Sequence, residues 1–140
     1  MLLLFLLSYN RRNTYGIFIF CGTGQCGEFI DIAHLHAREV GSIVDYDALK
    51  ARIAKIRDEL PEKFDKIHFH AYTIQYNDKG EVHHLRHGEN MDNGEPGLPN
   101  LDDFAKVLHE FNLDPWVISE AMDTQELGAK YILDCYRANS

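Results

Sequence analysis

The chain has 140 residues, with 22 Asp and Glu against 14 Lys and Arg, for a formal net charge of −8. Hydrophobic residues make up 45% of it, enough for one globular domain with a core, and there is no low-complexity tract or repeat of fixed period. The acidity excludes nucleic-acid binding through a diffuse basic surface. The lack of P-loop, GxGxxG and GxSxG patterns takes away the usual support for nucleotide-triphosphate and serine-hydrolase chemistry.

The start, MLLLFLLSYNRR, is apolar like the middle of a signal peptide. It lacks a preceding positive charge and a small-residue cleavage site, and is far too short to span a bilayer. A buried strand or an atypical start is expected there, in a cytoplasmic protein with no membrane association. The three cysteines, Cys21, Cys26 and Cys135, form no CxxC pair and predict small buried thiols in a reducing compartment.

From about residue 27 strand and helix patterns alternate. Glu28 to Ala33 (EFIDIA) predicts a short apolar strand. Leu49, Ile53, Ile56 and Leu60 recur at helical spacing behind Asp45 or Asp47 as cap, and Pro61 ends the run. Lys66 to Tyr72 reads as a second strand, followed by a long polar loop from Asn77 to Pro99. A helix is expected from Asn100, with Phe104, Val107, Leu108 and Phe111 on one face. A strand follows at Trp116 to Ser119. The last helix begins at Asp123, whose Asp-x-x-Glu pattern with Glu126 predicts a capping box, and it carries Leu127, Tyr131, Ile132 and Cys135 inward. The order β-α-β-loop-α-β-α predicts an α/β fold of parallel β/α units.

Seven of the eight histidines fall in clusters at or beyond the ends of apolar runs. In β/α barrels such strand ends form the active-site mouth. Asp31-x-x-His34 spans one strand end and joins a carboxylate to an imidazole, a pairing that suits zinc, manganese or iron. His68-x-His70 places two rings on one strand face. His70 is a candidate ligand, ligand-supporting residue or substrate contact. Glu81-x-His83-His84 lies in the long loop with chelating spacing, and Glu120 follows the apolar run Trp116 to Ile118. Arg38 and Arg86 are candidates for phosphate contacts, because a guanidinium fork matches phosphate oxygens. His109 is assigned no role.

The segments IDIAHLHAR, IHFHAYTIQYNDKGEVHHL and VISEAMD together resemble the endonuclease IV-like branch of AP endonuclease family 2, within the xylose isomerase-like barrel superfamily. The resemblance covers roughly residues 27–137, leaves residues 1–26 unmatched, and implies that residues 27–140 are the C-terminal half of a (β/α)8 (TIM) barrel, since a full barrel takes about 250 residues. It further implies two or three divalent ions, zinc first among them, and hydrolysis of DNA on the 5′ side of abasic sites. By this resemblance Asp31, His68 and Glu120 share one metal position. His34, Glu81 and either His83 or His84 hold another. Asp31 and Glu120 would be the catalytic carboxylates, with His36, Arg38 and His70 contacting substrate. Two histidines and a bridging glutamate of the family have no counterpart here. A half-barrel also leaves open edges, so self-association or a complementary half-barrel is expected. The alternatives are a sugar isomerase or epimerase of the same superfamily and a non-catalytic barrel fragment.

Overall fold

The computed structural model describes residues 17–22 and 25–140, with side chains from Phe29 onward. The apolar start and the side chains of Cys21 and Cys26 lie outside the described residues. Two sheets carry the fold. In the larger one a hairpin of β1 (Ile17–Gly22) and β2 (Gln25–Asp31) is followed by β3 (His68–His70) and β6 (Val117–Ile118), in the order β1-β2-β3-β6. β2, β3 and β6 run parallel, while β1 is antiparallel to β2. The protein is therefore mixed α/β with a three-stranded parallel core, and among the described residues the sheet does not close into a barrel. No described helix is long and apolar enough to cross a membrane.

Register divides the sheet into two faces. Phe29 is paired with His68 and Asp31 with His70, so these four side chains share one face. Ile30, Phe69 and Val117 line up on the other. That second face is covered by α2 (Tyr46–Glu59), α3 (Leu101–Glu110) and α4 (Gln125–Ala138). Leu49, Ile53 and Ile56 of α2, Phe104, Val107 and Leu108 of α3, and Ile132 of α4 form the main core with it. Phe69 is fully enclosed and meets Phe104 edge-on at 5.6 Å, the favoured geometry for an aromatic pair.

The helix starts follow from short polar side chains. Asp45 caps α2 by accepting from the Ala48 N–H at 2.9 Å, which settles the choice between Asp45 and Asp47. Asn100 caps α3 through the Asp103 N–H at 3.0 Å. Asp31 does the same for α1 (Ile32–Arg38), accepting from the His34 N–H at 2.8 Å. This cap ends β2 at Asp31, so Ile32 and Ala33 are helical, not the end of a strand.

Three further expectations are corrected. Asp123 does not cap α4: its φ of 56° is left-handed, where an N-cap needs extended backbone, and its carboxylate pairs with Arg86 at 3.1 Å. The helix starts one residue beyond Thr124 with no side-chain cap. On α4, Leu127 and Tyr131 point outward while Ile132 is buried, because α4 meets the core along a narrow stripe. The long loop is partly ordered as a second sheet, the hairpin of β4 (Ile74–Asn77) and β5 (Gly80–His84). Its turn is held by Asn77 Oδ1, which accepts from the Lys79 N–H at 2.8 Å, and by Gly80 at φ 111°.

The hairpin docks on α1 over a small second core of Ala33, Ala37, Tyr72, Ile74 and Ala121, with Tyr76 against it. Close approach depends on Gly41, which leaves α1 at φ 84° and where a Cβ would collide with the Tyr76 ring.

Candidate metal centre

Two groups of ligand atoms come together at the C-terminal ends of the parallel strands. The first consists of Asp31, His70 and Glu120, the second of His34, Glu81 and His84; within each group the ligand atoms lie within 4.8 Å of one another.

The first group is a product of the parallel register. Asp31 ends β2, His70 ends β3 beside it, and Glu120 stands two residues past β6. His70 Nδ1 is 2.9 Å from Glu120 Oε1 and 4.0 Å from Asp31 Oδ2. The His70 ring is stacked on Phe29 at 4.4 Å and 17°, which fixes its plane. His68 sits one pair further back on the same face, stacked on Phe29 at 5.4 Å. Its ring is 5.9 Å from that of His70, and it is not among the ligand atoms that meet there. Burial, with the neighbouring His70, lowers the His68 pKa. Of the two histidines on this strand, the structure thus brings His70 to Asp31 and Glu120.

The second group is assembled from α1 and the hairpin. His34 Nε2 lies 2.5 Å from Glu81 Oε2, and His84 Nε2 lies 3.2 Å from Glu81 Oε1. His84 Nδ1 donates to the Glu120 carbonyl at 2.9 Å. A carbonyl only accepts, so Nδ1 carries the proton, and Nε2 is the nitrogen that faces Glu81. Successive residues of a strand point opposite ways, so His83 and His84 do not both reach this place; His84 is the one that does.

The two groups touch. Asp31 Oδ2, a member of the first, is 2.7 Å from Nδ1 of His34, a member of the second. A carboxylate holding one imidazole nitrogen while the other faces a metal position is the usual support of a ligating histidine. Burial works against charge on His34, but the hydrogen bond and charge of Asp31 and the charge of Glu81 outweigh it and raise its pKa to about 9. An imidazolium therefore stands between two carboxylates and supplies the positive charge that this donor set calls for. Six donors of nitrogen and carboxylate oxygen, three per group, are side chains that could hold divalent metal ions.

Tyr72 joins the site without a distinctive motif of its own. Its hydroxyl donates to Asp31 Oδ2 at 2.9 Å and lies 3.1 Å from His34 Nδ1. Burial, then the charges of Asp31 and Glu120, push its phenol far above the ordinary range, so it remains a donor. The signal in the sequence is the spacing His68, His70, Tyr72, which continues the strand's two-residue period past its end.

The remaining candidates lie elsewhere. His36 is fully buried, with Nδ1 accepting from the Ile43 N–H at 3.0 Å and its ring edge-on to Tyr76 at 4.8 Å. Burial lowers its pKa to about 4, against a smaller opposing effect of Glu39. Arg38 is exposed on the last turn of α1, and Arg86 is engaged by Asp123.

No known protein family and no solved structure matches the chain. An uncharacterized protein of Methanocaldococcus jannaschii is 31% identical to it over 108 residues, which is 76% of this chain and 37% of that protein. The chain spans little more than a third of the relative's length.

Proposed function

We propose that the chain is the C-terminal half of an endonuclease IV-like β/α barrel, a divalent-metal-dependent hydrolase of DNA phosphodiesters at abasic sites. The observation that carries this reading is the pair of adjoining three-ligand groups at the C-terminal ends of parallel strands, where β/α barrels place their chemistry. Asp31, His70 and Glu120 would hold one ion; His34, Glu81 and His84 would hold another. Bound cations would lower the pKa of a coordinated water and stabilise the charge of the phosphodiester. The groups differ in charge. Asp31 and Glu120 bring two negative charges and balance one divalent ion. Glu81 alone brings one, so its position keeps net positive charge for a phosphate oxygen.

The half-barrel reading also accounts for what the sheet leaves open. β6 is the last strand of its sheet among the described residues. On the face that carries His70, Trp116 is 83% exposed and Ile118 36%. Further β/α units, from a second copy or a complementary half-barrel, would cover them and bring the ligands that this chain lacks.

Dialysis and elemental analysis test the ligands, and a nicking assay on duplex DNA with one abasic site tests the reaction. At least one equivalent of zinc, manganese or iron is expected, with nicking that disappears in Glu120→Gln. Less than about half an equivalent of metal refutes the ligand assignment. Turnover in a parallel ketose panel without nicking assigns the site to sugar isomerisation instead.

A further inference from the structure

We propose that Tyr72 is the positioning residue that joins the two metal positions into one unit, with its hydroxyl setting the Asp31 carboxylate for one and its ring and hydroxyl setting His34 and His84 for the other. The inference rests on the reading of these residues as metal ligands and concerns a side chain that is itself no ligand.

Tyr72 touches members of both groups at once. From the first it holds Asp31 through the 2.9 Å hydrogen bond. In the second its ring lies against His84, with centroids 4.2 Å apart, and meets His34 edge-on at 6.1 Å. It is 1% exposed and packed among Ala33, Ala37, Ile74 and Ala121. A side chain so enclosed does not meet substrate and acts through its neighbours.

The hydrogen bonds of Asp31 show what the hydroxyl contributes. Oδ1 is occupied by the His34 N–H that starts α1, while Oδ2 receives His34 Nδ1 and Tyr72 Oη together. A carboxylate has about four lone-pair sites, so these three contacts fix its plane beside His70, whose Nδ1 is 4.0 Å from Oδ2. Without the hydroxyl, a buried carboxylate that serves both groups loses one of its three anchors. The ring contacts, which phenylalanine keeps, would still pack His84, but His34 would lose the hydroxyl 3.1 Å from its Nδ1 and the fixed carboxylate that supports it.

Tyr72→Phe removes the hydroxyl alone. The test is titration of the full metal-free chain with Zn2+ by calorimetry and with Co2+ by visible absorption, in wild type, Tyr72→Phe, Asp31→Asn and the double variant. Loss of a residue that supports metal ligands weakens affinity by roughly 10–100-fold. That loss is expected at both positions in Tyr72→Phe, with an unchanged circular dichroism spectrum, and the change should add little to the effect of Asp31→Asn. Affinities within twofold of wild type, or weakening at one position only, overturn the joining role and leave the ligand assignment standing. Wild type that binds neither ion overturns both. A measurement on wild type alone guards against a variant that does not fold: the Tyr72 hydroxyl proton, slowed in exchange by burial, should shift in the NMR spectrum when Zn2+ is added. An unmoved resonance in zinc-loaded protein overturns the proposal.

Discussion

The two ligand groups sit side by side but are held in different ways. Asp31, His70 and Glu120 stand on or just past three parallel strands, and the pairing of Asp31 with His70 follows from backbone hydrogen bonds. Beneath them lies the main core, closed by Phe69 on Phe104. His34, Glu81 and His84 come from a helix start and a two-stranded hairpin, over a core of five buried side chains, three of them alanines. The first group is positioned when the sheet forms. The second exists only while the hairpin is docked. Regions with few buried apolar contacts open at lower free energy than the global fold, so the hairpin group is the one that conditions disturb first.

The largest expected effect erases the difference. Phe69→Ala should cost roughly 3–5 kcal/mol, measured by urea unfolding, and should remove both metal equivalents together, because the first group stands on the sheet and α1, which carries His34, starts from the end of β2. Retention of one equivalent would show that one group is held by something other than the sheet.

Acid should separate the groups. His36 carries a folded pKa of about 4 against an ordinary 6.5, so it contributes stability above pH 6.5 that is lost as pH falls toward 4. The shift corresponds to about 3 kcal/mol for this enclosed ring. Because the ring faces Tyr76 of the hairpin, amide exchange at pH 4.5 should rise in residues 74–84 before it rises in β3. Equal protection of the two segments at that pH would contradict the comparison.

Metal affinity sharpens it in the other direction. His34 is protonated below about pH 9, and a cation on Nε2 must displace that proton. The sign follows from the raised value. The imidazolium helps hold the metal-free fold below pH 6.5, and that help is lost as pH rises through 9. Affinity of the hairpin group should instead climb about tenfold per pH unit up to that value. Calorimetry in two buffers of different ionisation enthalpy reads the released proton. No proton release at pH 7.5 would show that His34 is not the ligand.

The smallest effect serves as a control. Asp45→Ala removes the cap on α2, far from either group, and should cost about 1 kcal/mol in a thermal melt with metal stoichiometry unchanged.

Much of this was legible in the chain. Apolar runs and helical spacing located β2, β3, β6 and the three long helices, because burial of one face imposes a period on the residues themselves. The clustered histidines and carboxylates marked the candidate site for a similar reason: chelating side chains at strand ends leave a mark in composition and spacing. Less was readable where a short polar residue had two uses. Asp31 looked like the rim of a strand and is also the cap that starts α1. Asp123 looked like a cap, yet its left-handed backbone turns it to Arg86.

What the sequence determined by itself is the set of donors and the order in which they occur. Which donors meet was decided by tertiary structure. The stacking of His70 on Phe29 and its pairing with Asp31 select His70 over His68 for contact with Glu120. Docking of the hairpin on α1 selects His84 over His83. Neighbouring histidines are equivalent as a string of residues, and only the direction of each Cα–Cβ bond in the folded backbone distinguishes them. Tyr72 follows the same rule. Nothing in its chemistry announces a role, and its importance arises because the fold buries its hydroxyl between Asp31 and His34.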